Sequence, residues 1–172
     1  MTEQRVRELD RSHVVHSWSA QGLIDPLPIA RAQGSHFWDY AGKRYLDFSS
    51  QLVNVNIGYQ HPKVVAAIQE QAARLVTIQP SFANDARGEA ARLIAEVAPE
   101  GMDVVFFTNG GAEANENAIR MARAHTGRAK VLAAYRSYHG GTAATMALTG
   151  EPRRWGSEPS IPDVVHFMGP YL

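Results

Sequence analysis

Two glycine-bearing segments concentrate the chemistry in this sequence. The first, Phe107-Thr108-Asn109-Gly110-Gly111-Ala112-Glu113-Ala114-Asn115-Glu116, runs from an apolar stretch through two glycines into helix-forming residues. Glycine lets a backbone turn with no Cβ in the way. The first N–H groups of a helix have no partner inside it, and the macrodipole is positive there, so this segment can seat a phosphate or carboxylate. The second, Tyr135-Arg136-Ser137-Tyr138-His139-Gly140-Gly141, offers an aromatic face, an imidazole and flexible backbone. Together they suit a planar heteroaromatic ring carrying a phosphate, with N–H groups for the phosphate and an aromatic for the ring. Each segment also has a plainer reading. The first would serve as an ordinary strand-to-helix turn with Glu113 and Glu116 in the first helical turns, and the second as a half-buried tyrosine beside a hydrogen-bonded histidine. Neither a G-x-G-x-x-G dinucleotide loop nor a G-x-x-x-x-G-K-[ST] P-loop is present.

The elements that must position these segments follow from hydrophobic spacing. Val104-Val105-Phe106-Phe107-Thr108 is a continuous apolar run, the pattern of a strand buried on both faces, and is expected to lead into the glycines. A helix over 112–125, a strand over 131–134, a helix near 141–148 and a strand over 164–167 complete an alternating pattern that implies a parallel α/β sheet of three strands. The two glycine segments then lie at carboxyl ends of neighbouring strands, where such sheets place ligands. Upstream, Pro62 and the apolar residues Val65, Ile68, Ala72 and Leu75 or Val76 predict an amphipathic helix over 62–77. Asn84 is a good N-cap for a second helix, stopped by Pro99 and Gly101. Both helices are expected to turn an apolar face to a core. Residues 36–40 and 43–48, aromatic-rich on either side of Ala41-Gly42, predict a β-hairpin, and residues 1–33 read as an arm with a short helix. The pattern breaks off at Tyr171-Leu172 just after a strand, so the chain reads as an incomplete piece of a larger sheet.

Composition narrows the partners. The chain has 172 residues, 45% hydrophobic and 20% charged, with zero formal net charge, so no basic excess draws it to nucleic acid or anionic lipid. It has no cysteine, which removes disulfides, thiolate metal sites and a cysteine nucleophile at once, and fits a reducing cytoplasm. The N-terminal residues Met1 to Asp10 are polar, with charges of both signs, and no apolar stretch approaches the roughly 18 residues of a membrane span. A metal site at His13 and His16 lacks a third ligand at suitable spacing.

The segment 109–123, with Thr126-Gly127-Arg128 and Tyr138-His139-Gly140, resembles the class III pyridoxal-phosphate-dependent aminotransferases. Trp38-Asp39-Tyr40-Ala41-Gly42-Lys43-Arg44-Tyr45-Leu46-Asp47 is similar to that family's N-terminal hairpin, and Asn56-Ile57-Gly58-Tyr59-Gln60-His61-Pro62 to the loop that follows it. The resemblance implies the N-terminal part of the fold type I architecture. Residues 1–60 would be an arm and hairpin of the small domain, and 61–172 the start of a large, mostly parallel three-layer α/β domain. It implies that Gly110, Gly111 and Ala112 offer backbone N–H groups to the phosphate of pyridoxal 5′-phosphate, Gly110 standing where the family often has serine. Tyr138 would stack on the ring, with His139 supporting it, while Trp18, Gln51, Leu52 and Val53 would shape the substrate pocket.

The family's Schiff-base lysine and pyridine-nitrogen aspartate match no residue of this chain, whose lysines are Lys43, Lys63 and Lys130. The expected parent activity is transfer of an amino group from an amine or ω-amino acid, taurine-like or β-alanine-like, to a keto acid such as pyruvate. The expected assembly is a homodimer or larger, and the 172 residues alone are expected to be inactive. Two other readings stay open: an aminomutase or decarboxylase of the same framework, and a non-catalytic remnant or dimerisation module.

Overall fold

The computed structural model describes residues 1–170 and divides into two compact units, Met1–Phe82 and a second from Ala83 onward. Tyr171 and Leu172, where the pattern was expected to break off, lie outside the described residues.

In the first unit, helix α1 (Glu3–His13) starts at Thr2, whose hydroxyl accepts from the Arg5 N–H. Strands β1 (Ile29–Gln33), β2 (His36–Asp39) and β3 (Arg44–Leu46) form an antiparallel meander in chain order. The expected hairpin is β2–β3. Its turn uses Gly42 at φ +82°, and the Asp39 carboxylate accepts from the Lys43 N–H at 2.9 Å. Phe37 and Tyr45 are cross-strand partners whose rings stack at 5.2 Å. The sequence reading stopped at two strands. The third, β1, lies in the segment read as arm and is held by pairing with β2, with the Arg31 guanidinium 3.6 Å from the Trp38 ring centroid. A short turn, α2 (Ser50–Val53), follows, and then helix α3 (Pro62–Arg74), which opens with Pro62 as expected and ends at Leu75.

In the second unit, α4 (Asp85–Val97) begins at Asn84, whose side chain accepts from the Arg87 N–H at 2.8 Å. Helix α5 (Gly111–Thr126) ends at Gly127, left-handed at φ +67°. Strands β4 (Val131–Ala134) and β5 (Val164–Phe167) pair in parallel, Val131 opposite Val164, and α6 (Ala143–Leu148) packs on them and on α5. The core is here: Ala133, Ala144, Met146, Ala147 and Leu148 are buried with the hydroxyls of Thr145 and Thr149.

Two expectations need correction. Residues 104–108 form no strand, so the parallel sheet has two strands among the described residues rather than three. A strand exists through its ladder, and among the described residues this segment has no neighbour to pair with; Val104 is 94% exposed and Phe106 and Phe107 are also open. Helices α3 and α4 carry the expected amphipathic pattern but bury no residue, with Ile68 63% and Val97 85% exposed. Amphipathic spacing records a face made to be covered, and within each unit no described residue covers it.

Candidate active site

Helix α5 begins directly after the glycine pair, although the strand expected to lead into it is not formed. Gly110 is the N-cap, and the N–H groups of Gly111, Ala112 and Glu113 have no acceptor among the described residues, while the next, Ala114, already donates to the Gly110 carbonyl at 3.0 Å. Gly110 has extended backbone, φ −177°, open to any residue, and a Cβ added at Gly110 or Gly111 would meet nothing within 4 Å. Neither conformation nor packing within the chain therefore requires glycine there. Close approach of a ligand to the bare backbone does supply a reason. Glu113 closes the loop from the other side. Its carboxylate accepts from both the backbone N–H and the side-chain amide of Asn109 at 2.9 Å, which holds it below the usual carboxylate range.

The second segment lies against this helix end. Gly140, at φ +134°, is buried, and a Cβ there would stand 2.6 Å from the Ala112 Cβ, so only glycine allows the approach. Asn115 donates its amide to the His139 carbonyl at 2.9 Å, and the His139 N–H donates to the Thr149 hydroxyl at 3.2 Å. The structure thus brings Ala112 together with Tyr138, His139 and Gly140 through neighbours, beside three unpartnered N–H groups. Tyr138 is 46% exposed, and the Arg153 guanidinium lies 4.6 Å from its ring centroid. Free N–H groups at a helix start, with a half-exposed aromatic ring two residues before the Gly140 contact, could hold a phosphorylated planar ring.

Trp18 and Gln51–Val53 belong to the first unit. Trp18, at φ +58°, is exposed on a loop that Gln21 clasps: its side chain donates to the His16 and Ser19 carbonyls and accepts from the His16 N–H. Gln51, Leu52 and Val53 belong to α2, which is a left-handed turn, with φ between 47° and 67° from Ser50 to Val53. Non-glycine residues pay for that conformation. Asp47 stabilises it. One carboxylate oxygen accepts from the Tyr59 hydroxyl at 2.6 Å and the Gln51 N–H at 3.0 Å, and the other from the N–H and hydroxyl of Ser49.

Sequence reasoning missed Asp47, Asn115 and Arg153 as supports of these segments and placed Glu116 only as a first-turn acid. The signal for Asn115 and Glu116 was available, since Ala112, Asn115 and Glu116 fall at i, i+3 and i+4 on one helix face. For Asp47 and Arg153 no spacing rule links them to their partners. The Asp10 carboxylate accepts from the His16 imidazole at 2.9 Å, an acidic neighbour the sequence reading did not place, but among the described residues no group of three or more such side chains could hold a metal.

The aminotransferase class III family profile matches residues 19–171. The acetylornithine aminotransferase of Methanothermobacter thermautotrophicus is 38% identical over 163 residues, covering 94% of this chain and 40% of that protein. The human mitochondrial alanine–glyoxylate aminotransferase 2 is 35% identical, over 97% of this chain and 34% of its own length. Among solved structures, the taurine:2-oxoglutarate aminotransferase of Bifidobacterium kashiwanohense, in complex with PLP and glutamate, superposes with a TM-score of 0.93 at 44% identity, covering 99% of this chain and 39% of that one. An (S)-enantioselective omega-transaminase from Thermomicrobium roseum gives 0.92 at 33% identity, covering 99% and 41%. The chain therefore spans about two fifths or less of the curated relatives it matches. With its α/β fold and these matches over nearly all of its length, this chain belongs to the class III aminotransferase family.

Proposed function

We propose that this chain supplies the phosphate-binding and ring-facing part of a pyridoxal-phosphate-dependent aminotransferase site. The observation that carries the reading is the meeting of the open α5 N-terminus with the Tyr138–Gly140 segment, locked by the Gly140–Ala112 approach and the Asn115–His139 bond. The N–H groups of Gly111 and Ala112, with Gly110 leaving the approach clear, would bind the phosphate. The Tyr138 ring would orient the cofactor by stacking, with His139 holding the segment behind it. Bound pyridoxal phosphate supplies an aldehyde that captures an amine and an electron-poor ring that withdraws charge from the donor carbon. Trp18, Gln51, Leu52 and Val53 would set the shape of the donor.

The overall reaction in this reading moves an amino group from an amine or ω-amino acid to a keto acid such as pyruvate. Residues 1–60 would belong to the small domain and 61–172 to the start of the cofactor domain of a cytoplasmic homodimer. The chain's lysines do not fit the anchoring role. Lys43 is in the hairpin turn, Lys63 begins α3, and Lys130 precedes β4 at the strand end opposite the Tyr138 segment. The 172 residues alone should therefore be silent.

The test is an assay of donor-dependent amino transfer, with taurine or β-alanine as donor and pyruvate or 2-oxoglutarate as acceptor. It is run on the 172-residue chain and on the longest polypeptide its reading frame encodes. Turnover is expected only from a longer product. Activity of the 172 residues would overturn the assignment of silence, and a longer product that takes up the cofactor yet transfers no amino group would overturn the aminotransferase reading in favour of an aminomutase or decarboxylase.

A further inference from the structure

The two cofactor-facing segments are held to each other by side chains that would touch no ligand themselves. Asn115 and Glu116 leave α5 on the face that carries Ala112, one turn further along. Asn115 bonds the His139 carbonyl at 2.9 Å. Glu116 reaches the far end of the segment: its Oε1 accepts from the Thr142 hydroxyl at 2.6 Å and from the Ala144 N–H at 2.9 Å. These bonds join residues 24 to 28 positions apart, and with the Gly140–Ala112 approach between them they grip the segment 139–144 at both ends. The segment is also tied to α6 and its C-cap, where Thr145 accepts from the Thr142 N–H and the buried Thr149 hydroxyl from the His139 N–H. The ring-facing segment is thus held between α5 and α6.

We infer that Asn115 and Glu116 are positioning residues that set the spacing between the phosphate seat at the α5 N-terminus and the ring-facing segment at Tyr138. The inference rests on the cofactor reading above. Its physical content is preorganisation: a ligand with a phosphate at one end and a ring at the other gains from both segments only if their separation is fixed beforehand. A carboxylate suits this task because a charged acceptor makes shorter and stronger bonds than a neutral one. The Thr142 hydroxyl above all, together with the Ala144 N–H, keeps Glu116 ionised below the usual carboxylate range.

The prediction separates positioning from general damage. In the longest polypeptide the reading frame encodes, Glu116→Ala should weaken binding of pyridoxal phosphate by about tenfold and leave the affinity for inorganic phosphate within about twofold, since only the two-ended ligand feels the spacing. Glu116→Gln keeps an oxygen able to accept both bonds and should recover most of the loss. Asn115→Ala should repeat the pattern of Glu116→Ala, and it carries the test should that variant not fold. Unchanged pyridoxal phosphate binding in both alanine variants would overturn the inference, as would equal loss of both ligands. Failure of the cofactor reading would show earlier and differently, as unmutated protein that binds inorganic phosphate but no pyridoxal phosphate.

Discussion

At the residue scale, Gly110 and Gly140 look alike in sequence, each within a pair of glycines, yet the structure gives them opposite tolerances. Gly110 is extended and faces open space, so Gly110→Ser should leave the melting temperature unchanged and keep cofactor binding, measured by thermal scans and by titration with pyridoxal phosphate. Gly140→Ala meets both a left-handed backbone and the Ala112 side chain. Strain of that kind costs roughly 1–3 kcal/mol, and if the segment moves away to relieve it, cofactor affinity should drop about tenfold or more. Asp47 makes a different prediction. The Tyr59 hydroxyl, then Ser49 and the Gln51 N–H, hold its carboxyl below the ordinary 3.8, and the same contact raises Tyr59 above the ordinary 10.0. A depressed acid contributes fully above its unfolded value and is lost as pH falls through the folded one. A raised tyrosine contributes fully below its unfolded value and is lost as pH rises through the folded one. Asp47→Asn should therefore flatten both the acid limb below about 4 and the alkaline limb above about 10 in denaturant midpoints measured against pH. Of these residues the sequence exposed the glycines, because a glycine-rich turn beside a helix has a local signature. It hid Asp47, because a carboxylate bracing a left-handed turn has none.

At the scale of elements, most helices and the strands β2 to β5 were legible, while residues 104–108 and β1 were misread. Helices α4 and α5 and strands β4 and β5 lie close to where period, capping and apolar runs placed them, because each signal is local: an N-cap at Asn84, a stop before Pro99, a short apolar run at 131–134. The capping contact is open to direct measurement. Asn84→Ala removes the acceptor for the Arg87 N–H and should lower unfolding free energy by about 1 kcal/mol, read from chemical denaturation; no change would mean that α4 does not unfold together with its unit. Residues 104–108 failed for a nonlocal reason. Val104, Val105, Phe106 and Phe107 carry the composition of a doubly buried strand, but a ladder requires a neighbour, and composition does not say whether one is present. Strand β1 failed in the other direction. Ile29–Gln33 is short and has only one apolar residue larger than alanine, and it is a strand because β2 offers it an edge and Arg31 finds the Trp38 ring.

At the scale of the whole chain, burial is confined largely to α6 and the strand beside it, while α3 and α4 bury nothing. The accessible surface is 13561 Å², against about 10,000 Å² for two separate globular units of this size, so a substantial apolar area stays wet however the units are arranged. Exposed apolar faces of this extent associate. Residues 104–108 add an unpaired backbone edge flanked by Val104, Phe106 and Phe107, the kind of edge that templates pairing with another chain. The purified 172-residue chain should therefore self-associate as its concentration rises, seen as a growing sedimentation coefficient, and should bind a dye specific for exposed apolar surface. Charge gives it no protection, since the formal net charge is zero and repulsion between copies is weak. Substituting lysine at Ile68 and Val97, both exposed and both on faces that nothing covers, should suppress association without lowering the melting temperature. A fall in melting temperature would show that these side chains support their units from within, and that the faces are not the open surfaces their exposure indicates.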